Sequence, residues 1–381
     1  MKFRTRLLGV LCLALSLLST RDEIARASDD PRNESAPQTD RLTAADDQGA
    51  SAAIRPEVDE RTRAIRGVYF SRNTIAARGA LDTAKFLRTA GLNAVVIDFK
   101  DSEGNMSASL SGDEPATKWK PVTRDLLEQL DNLGVYTIAR IVCFSDPVLP
   151  RKHPERAVMD GRPHKQGEIW ANWGGRNTWL DPYNPVNQQM VIDLAKRAQE
   201  LGFHEVQLDY IRFPVDEATP FAVFPSQTAQ SRTDLLTDLM RRVDEAIEIP
   251  LGVDVFGTTA FQFEPQLELG QDPERWAAHV QVFSPMLYVN KMGNYMAPGP
   301  RRAQRLVNLA VSRLRGRLGP KPVIRPFLQA FERGADYFTP EFIVEQIKGA
   351  TSGGGDGYLF WDPSTKYQMV HEAAESALRK R

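Results

Sequence analysis

The chain has 381 residues, 42% hydrophobic and 25% charged, an ordinary globular composition with a formal net charge of −1. That balance provides no basic field for nucleic acid. The two cysteines, Cys12 and Cys143, have neither the number nor the spacing of a zinc site or a disulfide framework.

At the N-terminus, Lys2, Arg4 and Arg6 precede an apolar run from Leu7 to Leu18. This is a positive n-region followed by an h-region too short to span a bilayer comfortably. Ala25-Arg26-Ala27 offers a small-x-small cleavage site, so residues 1–27 are expected to be a removable signal peptide. The alternative is an uncleaved membrane anchor. Leu11 stands where a lipoprotein cysteine such as Cys12 would need a small neighbour. Cleavage removes five basic and two acidic residues and leaves a charge of −4. Cys143 then stands alone, which suits a periplasmic or extracellular location, with no stable membrane insertion after cleavage. From Ser28 to Arg63 the chain is rich in Asp, Arg, Ser, Ala and Pro and has no apolar period. Such a stretch does not bury enough surface to offset chain entropy, so residues 28–63 are expected to be a disordered linker, with order beginning near Ile65.

From there two patterns alternate. Short β-branched or aromatic runs occur at Arg66–Ser71, Asn93–Lys100, Gly134–Phe144, Glu205–Phe213, Pro250–Gly257, Gln281–Tyr288, Pro322–Gln329 and Gly357–Asp362. Helical patterns lie between them at Leu81–Ala90, Val122–Leu133, Val186–Leu201 and Thr233–Glu248, and the remaining helices are expected within Pro273–Val280, Arg301–Leu318, Pro340–Ala350 and Lys366–Arg381. Asn184-Pro185 and Asp272-Pro273 pair an N-cap side chain with Pro at the first helical position. Strands that read as near-continuous apolar runs, each followed by a helix, imply a parallel sheet buried on both faces. Eight units close a (β/α)8 TIM barrel, here residues 64–381. A doubly wound open sheet is the rival, but Ser71-Arg72-Asn73-Thr74 follows the first strand where a glycine-rich phosphate loop would stand.

Active sites of such barrels lie at the C-terminal ends of the strands. Asp98, Asp209 and Asp254 each sit inside an aliphatic run near such an end. Burying a carboxylate there is costly without a partner, and Arg140, Arg325 and Lys100 are the candidate cations. A structural salt bridge is therefore the competing account of each aspartate. Glycoside hydrolysis needs two carboxyl groups astride the scissile bond, one protonated and one ionised. Asp209 is read as nucleophile or base, held ionised by a nearby arginine. Asp254 is read as the acid, raised by the apolar flank of Val253, Val255 and Phe256, with Asp98 the alternate for either role.

The long insertion after the third strand carries Trp170, Trp173, Trp179, Asp181 and Tyr183. It offers flat apolar platforms edged with hydrogen-bonding groups, as a sugar face requires; alternatively these aromatics simply cover the barrel mouth. Gln207, Arg212, Tyr288, Arg325, Gln329 and Trp361, with Arg140, complete the expected substrate-binding set. Lys100 has the look of a Schiff-base lysine, but two residues from Asp98 it is read as that aspartate's ion partner. The five histidines lack metal-ligand spacing, so neither a metal nor any other cofactor is expected.

Several blocks together carry a family resemblance. Arg66-Gly67-Val68-Tyr69, Asn93-Ala94-Val95-Val96-Ile97-Asp98-Phe99-Lys100-Asp101, Ala139-Arg140-Ile141-Val142 and Trp179-Leu180-Asp181-Pro182-Tyr183-Asn184 come first. Gln207-Leu208-Asp209-Tyr210-Ile211-Arg212-Phe213-Pro214, Asp254-Val255-Phe256-Gly257, Ser284-Pro285-Met286-Leu287-Tyr288 and Arg325-Pro326-Phe327-Leu328-Gln329 follow in order. The chain from about Arg66 to Pro363 resembles a family of bacterial glycoside-hydrolase-like TIM barrels, distantly similar to the alpha-amylase clan. The resemblance implies that Asp209, ending the fourth strand, is the nucleophile. It departs from the amylase pattern in having Gln207 where Arg stands two residues before that aspartate, and Asp254 where the acid is usually Glu. The implied activity is cleavage of O-glycosidic bonds in a poly- or oligosaccharide by an exported enzyme. A non-catalytic carbohydrate-binding barrel, a Lys100-dependent lyase or aldolase, and an envelope scaffold are the competing functions.

Overall fold

The computed structural model describes residues 58–107, 121–172, 174–175, 177–215, 218–261 and 268–379. The expected signal peptide, the linker as far as residue 57 and Trp173 lie outside the described residues. Order is present ahead of Ile65: a helical turn spans Glu60–Arg63, capped by Asp59, and Thr62 is buried.

The strands are β1 (Arg66–Phe70), β2 (Ala94–Lys100), β3 (Tyr136–Val142), β4 (Glu205–Asp209), β5 (Leu251–Phe256) and β6 (Val282–Leu287). Val323–Ile324 and Phe327–Gln329 together form β7, interrupted at Arg325-Pro326, and Tyr358–Trp361 is β8. Proline has no N–H to give a ladder. Every pairing in this sheet is parallel, and β1 pairs with both β2 and β8, so the sheet closes into the expected barrel.

Helices α1 (Arg72–Thr89), α2 (Arg124–Asn132), α3 (Pro185–Leu201), α4 (Arg232–Ala246), α5 (Pro273–Trp276), α6 (Arg302–Leu318), α7 (Pro340–Ser352) and α8 (Gln368–Arg379) follow the strands in turn. Asn184 accepts from the Val186 N–H at 3.0 Å to start α3, and Gly202, at φ 110°, ends it in a conformation that costs other residues energy. The sequence places the first helix at Leu81–Ala90. The helical segment instead starts at Arg72, because Ser71 caps it, and kinks at Gly79, where φ is 68°. The fifth helix, expected within Pro273–Val280, is the single turn Pro273–Trp276.

Two apolar layers result. One lies between strands and helices and includes Val95, Ile97, Ile141, Leu194, Leu236 and Val307. The other fills the barrel interior with Ile65, Tyr69, Ala94, Val96, Tyr136, Ile138, Phe327 and Leu359. The second layer leaves the upper interior to polar groups, and there the site is built. Among the described residues no helix is long and apolar enough to cross a membrane.

Candidate active site

Alternation along a strand sends every second side chain inward. In β4 that set is Glu205, Gln207 and Asp209; in β5 it is Gly252 and Asp254. Gln207 lies opposite Gly252 in the parallel register, which brings Asp209 and Asp254 to the same level. Asp98 of β2 lies opposite Arg140 of β3.

Arg140 is the hub. Its Nη1 donates to Asp98 Oδ1 at 2.6 Å, while Nε and Nη2 donate to Asp209 Oδ2 at 2.9 and 2.6 Å. Tyr69 Oη donates to Asp98 Oδ2 at 2.6 Å, and the Tyr210 N–H donates to Asp209 Oδ1 at 2.7 Å. Tyr210 has φ 51°, a left-handed backbone that a non-glycine residue seldom adopts. This turn ends β4 at Asp209, short of the expected Phe213, and folds the amide back onto the carboxylate. Both Asp98 and Asp209 are buried, and each charge is met by charge-assisted hydrogen bonds.

Asp254 is different. It is 1% exposed, and its Oδ1 has no hydrogen-bond partner among the described residues. Burial, and then the charge of Asp209, push its carboxyl well above the usual carboxylate range, against the pull of Arg140. Burial also raises Asp98, opposed by Arg140 and by the Tyr69 hydroxyl. Burial works against the Arg140 cation, but Asp209 and Asp98 outweigh it and the guanidinium holds its proton more firmly than usual. The site therefore sets a buried carboxyl with an unpartnered oxygen beside one that receives two arginine donors.

Two aromatics frame this cluster. Trp361 stacks on Tyr69 with ring centroids 4.1 Å apart, and the Arg140 guanidinium lies 5.0 Å from the Trp361 ring. Tyr288, just past β6, is half-buried and packs on Phe331, with the charges of Asp254 and Asp209 near its hydroxyl. Gln207 lies one layer below Asp209, fully buried, and bonds to Ser284.

Other expected site residues are placed elsewhere. Arg325 pairs with Glu205 at 3.0 Å and donates to the Thr62 carbonyl, so it closes the N-terminal floor of the barrel, where residues leading into β1 and starting β4 meet. Gln329 spends both ends of its amide on loop backbone: Oε1 accepts from Asn290 N, and Nε2 donates to the Phe331 and Arg333 carbonyls. Lys100 does not pair with Asp98. Its Nζ lies 2.8 Å from Asp146 Oδ2, wholly buried.

The insertion after β3 is a packed cap rather than an open platform. Met159–Asp160 pairs antiparallel with Ala222–Val223 from the loop after β4, and bridges join Ser145 to Trp179 and Ala157 to Leu180. Trp170 is fully buried and donates to the Ala218 carbonyl; Trp179 is buried and donates to the Arg212 carbonyl. Asp181 accepts from the Tyr183 and Ser226 amides, and Tyr183 packs against Phe213 and Phe224. These side chains form the interior of the cap, because each indole N–H finds a carbonyl inside it. Arg212 is buried against Trp179, Tyr210 and Phe256.

Tyr69 is the site residue that sequence reasoning passed over. Its signal is a hydroxyl-bearing aromatic near the C-terminal end of an apolar strand, on the inward face beside Asp98.

Residues 67–367 match the family described as "Putative glycosyl hydrolase domain". The fold is similar to that of the PgaB (BpsB) glycoside hydrolase domain from Bordetella bronchiseptica, with TM-score 0.58, 15% identity, and coverage of 82% of this chain and 97% of that one. It is also similar to TtGalA, an alpha-galactosidase from Thermus thermophilus solved with p-nitrophenyl alpha-D-galactopyranoside (TM-score 0.50, 15% identity, 86% and 63% covered). An alpha-amylase from Lactobacillus plantarum matches with TM-score 0.50 and 11% identity over 80% of this chain and 72% of that one. No curated protein matches the chain by sequence. The family match spans most of the chain and the whole barrel up to Tyr367, so the chain belongs to the "Putative glycosyl hydrolase domain" family and is an enzyme of the glycosidase class.

Proposed function

We propose that this enzyme cleaves O-glycosidic bonds of a poly- or oligosaccharide through two carboxyl groups, Asp209 and Asp254. The observation that carries the reading is their unequal environment. Asp209 receives two Arg140 donors on one oxygen, whereas Asp254 is buried among apolar strand neighbours with an unpartnered oxygen. Asp254 gives its proton to the leaving glycosidic oxygen as the C–O bond breaks. Asp209 supports the positive charge that develops on the sugar, as nucleophile or as the base that activates water. Asp98 holds Arg140 from the other side, with Tyr69 on its second oxygen. Trp361 and Tyr288 line the approach with apolar faces.

We also infer export, from the basic n-region, the apolar run Leu7–Leu18 and the Ala25-Arg26-Ala27 site. N-terminal sequencing of the protein recovered outside the cytoplasm should begin at Ser28.

The test of the reaction is Asp209→Asn, assayed by release of reducing ends from cell-envelope and exopolysaccharide fragments. The variant should keep the far-UV circular dichroism and melting behaviour of the parent and lose turnover. Wild-type rates in that variant would refute the assignment, and binding without cleavage by the parent would point to a carbohydrate-binding barrel instead.

A further inference from the structure

Gln207 Nε2 donates to Ser284 Oγ at 3.1 Å, while its Oε1 has no hydrogen-bond partner among the described residues. Asp254 Oδ1 is likewise buried without one. The register places the two residues on the inner faces of neighbouring strands. Gln207 lies opposite Gly252, and Asp254 follows two residues on along the same face of β5. Ser284 lies opposite Asp254 on the other side. Gly252 sends no side chain into the barrel, so the Gln207 amide reaches past β5 to Ser284, at the foot of Asp254. Two buried acceptors on the inner faces of neighbouring strands, each without a partner, carry a desolvation cost that a shared donor removes. A carboxylic acid O–H is the donor this pair supplies by itself.

We propose that Gln207 is the positioning residue of Asp254, its Oε1 accepting the carboxyl O–H so that the acid stays neutral and oriented until substrate arrives. This rests on the reading of Asp254 as the acid. A half-turn about χ2, a soft and roughly two-fold torsion in aspartate, then carries the O–H to the mouth of the barrel. The other titratable groups interacting with Asp254 through their charges are Asp209 and Glu205 of β4, Arg140 and Cys143 at β3, and Tyr288 after β6. Glu205 is paired with Arg325, and Arg140 is engaged by Asp98 and Asp209, so the Gln207 amide and the Tyr288 hydroxyl are the uncharged polar groups left near the acid. With the amide reversed, its NH2 would face Asp254 and favour the anion; the two orientations have opposite consequences.

Infrared difference spectra of the full chain labelled with 13C-carboxyl aspartate, wild type minus Asp254→Asn, read this protonation without any substrate. Failure of the proposal is thereby separable from failure of the glycosidase reading, which is judged by reducing-end release alone. A protonated-carboxyl C=O band should persist above the pH at which an ordinary aspartate ionises and disappear only on further rise of pH. Gln207→Met removes the acceptor and should move that disappearance to lower pH by about one unit. Loss of the band in the ordinary aspartate range, or an unmoved titration in Gln207→Met, overturns the proposal. If Gln207→Met does not fold, Ser284→Ala releases the Nε2 end and lets the amide turn its donors toward Asp254. A downward shift there supports the proposal, and an unmoved titration overturns it.

Discussion

Arg140 and Asp209 meet through two donors on a single oxygen, Nε and Nη2 both pointing at Oδ2, across the seam between β3 and β4. The third donor, Nη1, is committed to Asp98 on the opposite side. One planar guanidinium thus holds two carboxylates from different strands, and it leaves Asp209 Oδ1 to the Tyr210 N–H and to the mouth of the barrel. A lysine ammonium has the charge without the rigid fork.

Arg140→Met should therefore leave two carboxylates facing each other in the barrel and destabilise the fold by about 3–5 kcal/mol. Arg140→Lys should fold more nearly as the parent does and lose kcat/KM by about 10²-fold, because Asp209 is no longer held in place. Calorimetry and reducing-end assays on both variants check this; a fully active Arg140→Met would contradict the role given to the pair.

Asp254 predicts a pH dependence of stability with a definite sign. Its carboxyl is raised well above its ordinary value of 3.8 by burial and by Asp209, so the folded state binds the proton more tightly than the unfolded chain does. Its stabilising contribution is complete below that ordinary value and is lost as pH rises towards the folded value. Asn does not titrate. Relative to Asp254→Asn, the wild type should lose up to about 1.4 kcal/mol per pH unit between roughly pH 4 and the folded-state titration of Asp254. Asp98, raised in the same direction, is present in both proteins and cancels. Urea unfolding of the two proteins at about pH 5 and about pH 8 reads the difference directly; a difference independent of pH would show that Asp254 is not held neutral.

Lys100 is a test of the carbonyl-chemistry alternative. Its Nζ is fully buried between Asp146 Oδ2 at 2.8 Å and the Val142 carbonyl at 2.9 Å. Borohydride with small aldehydes or ketones should leave no adduct at this residue. Lys100→Met leaves Asp146 buried without its cation and should cost about 3–5 kcal/mol of stability, seen as a lower melting temperature. A trapped adduct at Lys100, found by peptide mass spectrometry, would revive the lyase reading.

Arg325 separates stability from substrate binding. Buried against Glu205 and the Thr62 carbonyl, it ties the start of β4 to the segment before β1. Arg325→Met should lower stability by about 3–5 kcal/mol, while KM measured on the folded fraction stays as in the parent. A raised KM with unchanged melting would restore it to the substrate site.

Where expectation and structure part, the cause is packing. Trp170 and Trp179 are equally compatible with a sugar platform and with a loop core on composition alone. They are core because the loops after β3 and β4 pair with each other and bring carbonyls to both indole N–H groups. Gln329 ends its strand as a binding residue would, yet the loops after β6 and β7 consume its amide. Arg325 sits in a strand like Arg140, but at the opposite end of the barrel interior.

The sequence by itself determined the eight strand–helix units, their parallel closure and the inward aspartates of β2, β4 and β5, because alternation within a strand and apolar periodicity within a helix are local properties. Tertiary structure alone decided the partners: Arg140 with Asp98 and Asp209, Lys100 with Asp146, Arg325 with Glu205. Which cation meets which carboxylate depends on the stagger between strands and on loops folding over one another. Those relations join residues far apart in the chain, and no local pattern records them.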